Sequence, residues 1–136
     1  MAIRFMVDSD TLNYVMKGRD TRLREKFSKH IDELSISSVT YAEIAYGLNK
    51  RNSGKYQAVF DMLTEVVQVS PWTRECADEY AMIRADLERA GTPIGAMDMM
   101  IAATAKSAGV TLITNNTAHF GRVSGLKLDN WSSPQP

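Results

Sequence analysis

The stretch from Gly91 to Ser107, GTPIGAMDMMIAATAKS, constrains the fold of this chain more than any other. Gly91 can end one helix, Pro93 keeps that helix from continuing, and Gly95 frees the backbone for a sharp entry into the next. Beyond the break, Asp98, Ile101, Ala102 and Ala105 follow the i, i+3, i+4, i+7 spacing of a stripe that faces a core. A carboxylate therefore sits in the first turn of a helix, on its packed side. The helix dipole favours an acid there, and taken alone Asp98 reads as its structural partner. A chemical role requires that other carboxylates, distant in sequence, arrive at the same place.

The rest of the chain supplies candidates in order. Ile3, Phe5 and Val7 alternate with Arg4 and Met6 in a strand that ends at Asp8. Helical spacing follows at Leu12, Val15 and Met16, then a second helix with Asp20 as N-cap and Leu23 and Phe27 turned inward. Leu34 to Val39 is the next strand. Thr40 to Lys50 is a helix whose apolar face is Tyr41, Ile44, Ala45 and Leu48, which points Glu43 off that face. Tyr56, Val59, Phe60 and Leu63 share one side of a further helix, and Val66 to Val69 is a β-branched strand closed by Pro71. A longer helix spans Thr73 to Ala90, with Ala77, Tyr80, Ala81, Arg84 and Leu87 in register. After the Asp98 helix, Val110 to Thr114 is the last strong strand. Asn115 and Asn116 follow it, then a turn through Phe120 and a weak strand around Leu126 to Leu128. The tail from Ser132 to Pro136 is expected to be disordered, leaving a domain over residues 1–131.

Short apolar strands separated by helical stretches define an α/β fold with a mostly parallel central sheet and helices on both faces. With 136 residues, 44% of them hydrophobic and 24% charged, the chain is a single globular domain. No apolar run is long enough to span a bilayer, and the charged opening MAIRFMVDSD is no signal peptide, so a cytoplasmic protein without membrane contact is expected. The single cysteine, Cys76, excludes an internal disulfide and a multi-thiolate zinc site, and it is assigned no role. Net charge is zero, but residues 1–55 hold 10 Lys or Arg against 7 Asp or Glu, and the run Lys17, Arg19, Arg22, Arg24, Lys26, Lys29 can form a local phosphate-facing patch.

Ligands of open parallel sheets gather at the carboxyl ends of the strands. Asp8 ends the first strand, Asn115 and Asn116 end the last strong one, and helices that follow strands start at that same edge, bringing Glu43 and Asp98 with them. Two carboxylates about 4 Å apart repel by roughly 4 kcal/mol at an effective dielectric near 20. A cluster of three therefore calls for a cation, and carboxylate and amide oxygens suit a hard ion, Mg²⁺ or Mn²⁺. Such an ion lowers the pKa of bound water and offsets charge on a phosphoryl oxygen. His30 and His119 lie beside no candidate serine and are expected at the surface. Each residue also has a structural reading. Thr40 to Glu43 matches a capping box in which Glu43 bonds back to the Thr40 amide, Asp8 can cap the next helix, and Asn115 with Asn116 can be a simple turn.

The blocks VDSDTL, SSVTYAEIAYG, GTPIGAMDMMIAATA and LITNNTAHF, in this order and spacing, resemble a PIN-domain ribonuclease, and within that family a toxin of the VapC type from a type II toxin–antitoxin pair. The resemblance covers nearly the whole length. It implies a metal held by Asp8, Glu43 and Asp98, with Ser9 and Thr114 beside the site. Asn116 stands where many members have a fourth acidic residue; it can ligate weakly or hold a water but adds no charge. Asp10 stands where an Asn is common and adds one. The resemblance further implies a homodimer, inhibited by a cognate VapB-type antitoxin whose tail enters the groove. It also implies cleavage of structured RNA, often tRNA in its anticodon loop. Tyr56, Phe60 and Leu63 are the candidate dimer contacts.

Two other readings belong to different classes. Asp8, Ser9, Asp10, Thr11 mimics the Asp-x-Asp opening of a haloacid-dehalogenase-type phosphatase with Asp8 as nucleophile, although that family expects Thr or Val at Leu12 and a later acidic pair. The third is a PIN domain that binds RNA without cutting it.

Overall fold

The computed structural model describes residues 2–134. Five strands, β1 (Phe5–Val7), β2 (Leu34–Ser37), β3 (Gln68–Ser70), β4 (Thr111–Ile113) and β5 (Leu128–Asp129), form one sheet in the order β3-β2-β1-β4-β5. Every pairing in it is parallel. Among the described residues seven helices connect them: α1 (Ser9–Lys17), α2 (Thr21–Lys29), α3 (Ser38–Arg51), α4 (Gly54–Val66), α5 (Arg74–Ala90), α6 (Ala96–Ala108) and the short α7 (Thr117–Phe120), with a 3₁₀ turn at Ile31–Glu33.

Because successive side chains of a strand point to opposite faces, β1 and β4 divide their residues between two cores. Met6 and Leu112 pack on one side with α5, α6 and Phe120 of α7. Val7 and Ile113 pack on the other with residues of α1 to α4 and Trp131. Helix α6 contributes Ala102, Ala103 and Ala105 to the first core, all wholly buried. The chain lays β2 and β3 on one side of β1, then crosses to lay β4 and β5 on the other. The order reverses between β1 and β4, and the crevice of such a sheet opens at that switch point, outside the carboxyl ends of the strands.

Local chemistry accounts for the main element boundaries. Asp20 caps α2 as expected, its Oδ1 accepting the Leu23 N–H at 3.1 Å. Gly91 ends α5 in the left-handed region, φ 70°, where a side chain would be strained. Gly95 behaves otherwise than expected: it precedes α6 with φ −60° and ψ 149°, a conformation open to any residue, so the entry into α6 uses no special glycine freedom.

The face of α5 is also rotated from its expected position. Cys76, Ile83 and Leu87 are buried and Tyr80 packs against the cluster that holds Ile83 and Leu87, whereas Ala77, Ala81 and Arg84 are exposed. The alanines fit either stripe, and the larger side chains decide which one is buried. On α4, Phe60 is 1% exposed and, with Tyr56 and Leu63, packs into the second core of its own domain. These three are therefore not a free dimer face; the exposed large apolar residues of α4 are Met62 and Val66.

At the C-terminus, Trp131 is buried against the rings of Phe5 and His30. Ser133, expected to be disordered, is hydrogen bonded through both its amide and its hydroxyl to the Asp20 carboxylate. Residues 135 and 136 of the expected tail lie outside the described residues.

Candidate active site

The crevice between β1 and β4 is built around Asp8. Its amide donates to the Ile113 carbonyl at 3.1 Å, extending the pairing by one residue, and the chain then turns into α1. Asp8 caps that helix, Oδ1 accepting the Thr11 N–H at 2.9 Å, while Oδ2 accepts the hydroxyl of Thr114 at 2.6 Å. The carboxyl is 4% exposed. Burial pushes its pKa above the ordinary range; the bonds from Thr114 and Thr11 pull the other way, and the charge of Asp10 adds to the rise. An acid placed there without a cation is held under electrostatic stress.

Glu43 reaches Asp8's neighbour. The Ser9 hydroxyl donates to Glu43 Oε1 at 2.7 Å and lies 3.2 Å from Thr40 Oγ1. The expected capping box is absent. Helix α3 begins at Ser38, its N-cap is Ser37, and Ser37 Oγ accepts the Thr40 N–H at 2.9 Å. Thr40 lies inside the helix with its amide already bonded, and Glu43 is in the second turn rather than the first. No structural task is left for the Glu43 carboxylate beyond its bond to Ser9.

On the other side of Asp8, Thr114 Oγ1 also accepts the Asn116 N–H at 2.9 Å. Asn116 is exposed and precedes α7 without capping it through its side chain, and Asn115 is half-buried. Asp98, in the first turn of α6 as expected, has its Oδ2 3.0 Å from His119 Nε2 of α7. His119 is thus no plain surface residue, and sequence reasoning missed its place here. The signal lay in its position, three residues after Asn116 on a short helix at the same sheet edge. His30 is likewise half-buried, bonding to Glu33 and stacking on Trp131, far along the chain from any site residue.

Hydrogen bonds thus link Glu43 to Ser9, Asp8 to Thr114, Thr114 to Asn116 and His119 to Asp98, and the backbone joins these pairs between Asp8 and Ser9 and along α7. The donors are oxygens of the kind that a hard divalent ion takes. They do not form a closed cage: among the described residues no three His, Cys, Asp or Glu side chains are gathered as a ready metal site. Asp98 turns one oxygen to His119, and among the described residues its other oxygen and the second oxygen of Glu43 have no hydrogen-bond partner. The donor set fits Mg²⁺ or Mn²⁺ in its chemistry, with the buried Asp8 carboxyl as the group most in need of one.

A profile described as the PIN domain matches residues 5–126. The chain belongs to the PIN-domain family. Among curated PIN relatives, a tRNA(fMet)-specific endonuclease VapC from Shigella flexneri is 35% identical over 131 residues, 96% of this chain and 99% of the relative. A Ribonuclease VapC2 from Haemophilus influenzae is 31% identical over 130 residues, 95% of this chain and 98% of its own. Among solved structures, DNA-bound VapBC from Salmonella typhimurium superposes with a TM-score of 0.88 at 33% identity, covering 95% of this chain and 98% of that one. VapBC-1 from nontypeable Haemophilus influenzae superposes with 0.82 at 30% identity, covering 96% and 98%. Among the described residues of this PIN domain, no helix is long and apolar enough to cross a membrane.

Proposed function

We propose that this PIN domain is a divalent-metal-dependent endoribonuclease toxin of a VapBC-type toxin–antitoxin module, cutting phosphodiester bonds in structured RNA, with tRNA and its anticodon loop as the expected target. The observation that carries the reading is Asp8: a buried carboxyl at the switch point of a parallel sheet, its pKa raised by burial, with Glu43 one hydrogen bond from its neighbour. Nucleases named VapC at 31–35% identity over nearly the full length supply the substrate class. The VapBC complexes among the solved structures supply the class of partner, a VapB-type antitoxin. The reaction belongs to the cytoplasm, where tRNA is found.

In this reading Asp8, Glu43 and Asp98 hold Mg²⁺ or Mn²⁺, and Asn116 contributes a neutral oxygen or a bound water. When bound, the ion lowers the pKa of a water and offsets charge developing on the phosphoryl oxygens. The protein's own work is positional. Thr114 and the Thr11 amide fix the plane of the Asp8 carboxylate, Ser9 holds one oxygen of Glu43, and His119 holds one of Asp98, so that each acid presents its remaining lone pairs in a set direction. Asp10 and Asn115 border the site without a hydrogen bond to the three acids. A homodimer is part of the same proposal, with Met62 and Val66 of α4 as candidate contacts because they are large, apolar and exposed on one helix face.

Incubating purified protein with a tRNA pool and with a small phosphate ester, in Mg²⁺, Mn²⁺ or excess EDTA, tests the reading. Ion-dependent RNA cleavage without ester hydrolysis is expected. Ion binding to the native protein should also raise stability by about 2.7 kcal/mol at roughly 100 times the Kd. Undiminished cleavage in EDTA would refute the metal role, and RNA binding without cleavage would leave only an RNA-binding domain.

A further inference from the structure

A groove of about 200 Å³ runs away from the acids between α1, α3 and the start of α4. Ser9, Asp10 and Glu43 border it, and Lys17, Arg51 and Asn13 border it too. Met16, Ile44, Leu48 and Tyr56 give it an apolar lining. Its size is below the range of roughly 300–1,000 Å³ usual for drug-sized ligands, and matches one flat ring system better than several.

Two features of this groove have no explanation within the isolated domain. The first is charge. Lys17 and Arg51 are both exposed, and neither forms an ion pair with a carboxylate among the described residues. Each lies in the last turn of its helix, where the dipole favours a cation. The dipole accounts for the presence of the charges but not for their convergence, from two different helices, on one groove that starts at a cluster of acids. The second is Gly47. It sits in the interior of α3, where glycine costs stability relative to alanine, yet a Cβ built on it meets no atom within 4 Å. No neighbour in the domain requires the missing side chain. Gly47 borders the groove, and its bare backbone widens it.

We propose that this groove holds an unpaired nucleotide of the RNA next to the bond that is cut, with Lys17 and Arg51 on its phosphates, its base on the Met16, Ile44, Leu48 and Tyr56 surface, and the Gly47 backbone giving it room. The inference rests on the ribonuclease reading. Cations and acids at the same groove match a polyanion whose scissile phosphate sits at the metal site while the adjoining phosphates need positive partners. A base inside a duplex cannot turn into such a groove, so recognition requires a loop or a single strand.

The test uses the full-length Asp98→Asn protein, which is expected to bind RNA without cutting it, and titrates it with a stem-loop RNA and with a fully paired duplex over a range of salt. Each phosphate contact to a single strand contributes about 0.7 to the slope of log K against log salt, so Lys17→Ala with Arg51→Ala should lower that slope by about 1.4 for the stem-loop. Affinity for the stem-loop should fall at least tenfold, and the duplex should respond much less. Lys17→Arg with Arg51→Lys should recover most of the affinity. Gly47→Leu, which a helix tolerates, should weaken stem-loop binding without changing the slope, with folding checked by thermal melting. An equal slope change from removing Arg22 and Lys29, which do not line the groove, would reduce the effect to net charge and overturn the proposal.

If the Lys17 and Arg51 double variant binds the stem-loop like its parent while the wild-type chain still cuts RNA, the groove assignment fails and the ribonuclease reading stands. If wild-type protein neither cuts nor binds RNA, both fail. If the double variant binds RNA normally but loses its co-expressed antitoxin, the groove is a protein-docking surface and the proposal falls.

Discussion

Thr114 donates its hydroxyl proton to Asp8 Oδ2 at 2.6 Å, across 106 positions of sequence, and Thr114 Oγ1 itself accepts the Asn116 N–H. One side chain thus joins the ends of the two strands that flank the switch point and fixes the acid between them. Thr114→Val keeps the shape and removes the hydroxyl, leaving a buried carboxylate oxygen and an amide without their partner. A loss of about 1–3 kcal/mol in chemical denaturation is expected, with Thr114→Ser close to wild type. Equal stability of the Val and Ser variants would show that the bond contributes nothing.

Asp98→Asn and Glu43→Gln separate structure from chemistry. As a dipole partner alone, Asp98 contributes about 0.3–1 kcal/mol, and its amide variant would still cut RNA. As a metal ligand beside other acids, it can lose its charge without loss of apo stability, but cleavage and growth arrest should vanish. Glu43→Gln keeps an oxygen for the Ser9 hydroxyl and should likewise be folded and inactive. Wild-type cleavage rates in a folded Asp98→Asn protein would end the assignment.

Ser37→Ala tests the start of α3. Because the Ser37 hydroxyl, and not Glu43, holds the buried start of this helix, its removal should cost about 1 kcal/mol, within a range of roughly 0.5–2. Glu43→Gln should change stability by no more than a few tenths of that. The reverse ranking in parallel urea titrations would restore the capping box.

Asp8 sets a pH dependence of the metal-free protein. Its folded-state pKa lies above the ordinary 3.8, so its contribution favours the fold fully below that pH and is lost as the pH rises through the raised value. Asp8→Asn removes this dependence and keeps a competent N-cap. In EDTA, the melting temperature of wild type minus that of Asp8→Asn should therefore decline from acid pH towards neutrality. Saturating Mn²⁺ should restore the wild-type protein alone. A difference that is flat across the titration would mean that burial of Asp8 carries no such stress.

Asp8, Glu43 and Asp98 were legible in the sequence because each follows a recognisable boundary: the end of an alternating strand, a strand-to-helix junction and a Gly-Pro-Gly break. The parallel sheet was legible from the alternation of short apolar runs with helical spacing. What escaped depended on partners that spacing does not encode. Ser37 and Thr40 are both plausible caps one turn apart, and only the point where β2 stops pairing decides between them. The face of α5 was ambiguous because Ala77 and Ala81 bury as easily as they expose. His119 acquires its meaning from Asp98, 21 positions earlier, and its place three residues after Asn116 is the one local sign of it.

The sheet order has a consequence in the time of synthesis. β1 leaves the ribosome first, yet its second flank stays open until residues 111–113 follow, because β4 and not β3 pairs with it there. Parallel pairing over such a separation is slow to form, and an open strand edge invites association with other chains. A nascent or prematurely terminated chain that has already made Asp8 and Glu43 therefore has no Thr114 to fix the first and no β4 to shape the crevice. An unfinished copy of a proposed growth-arresting enzyme therefore lacks the crevice in which its first two acids would act.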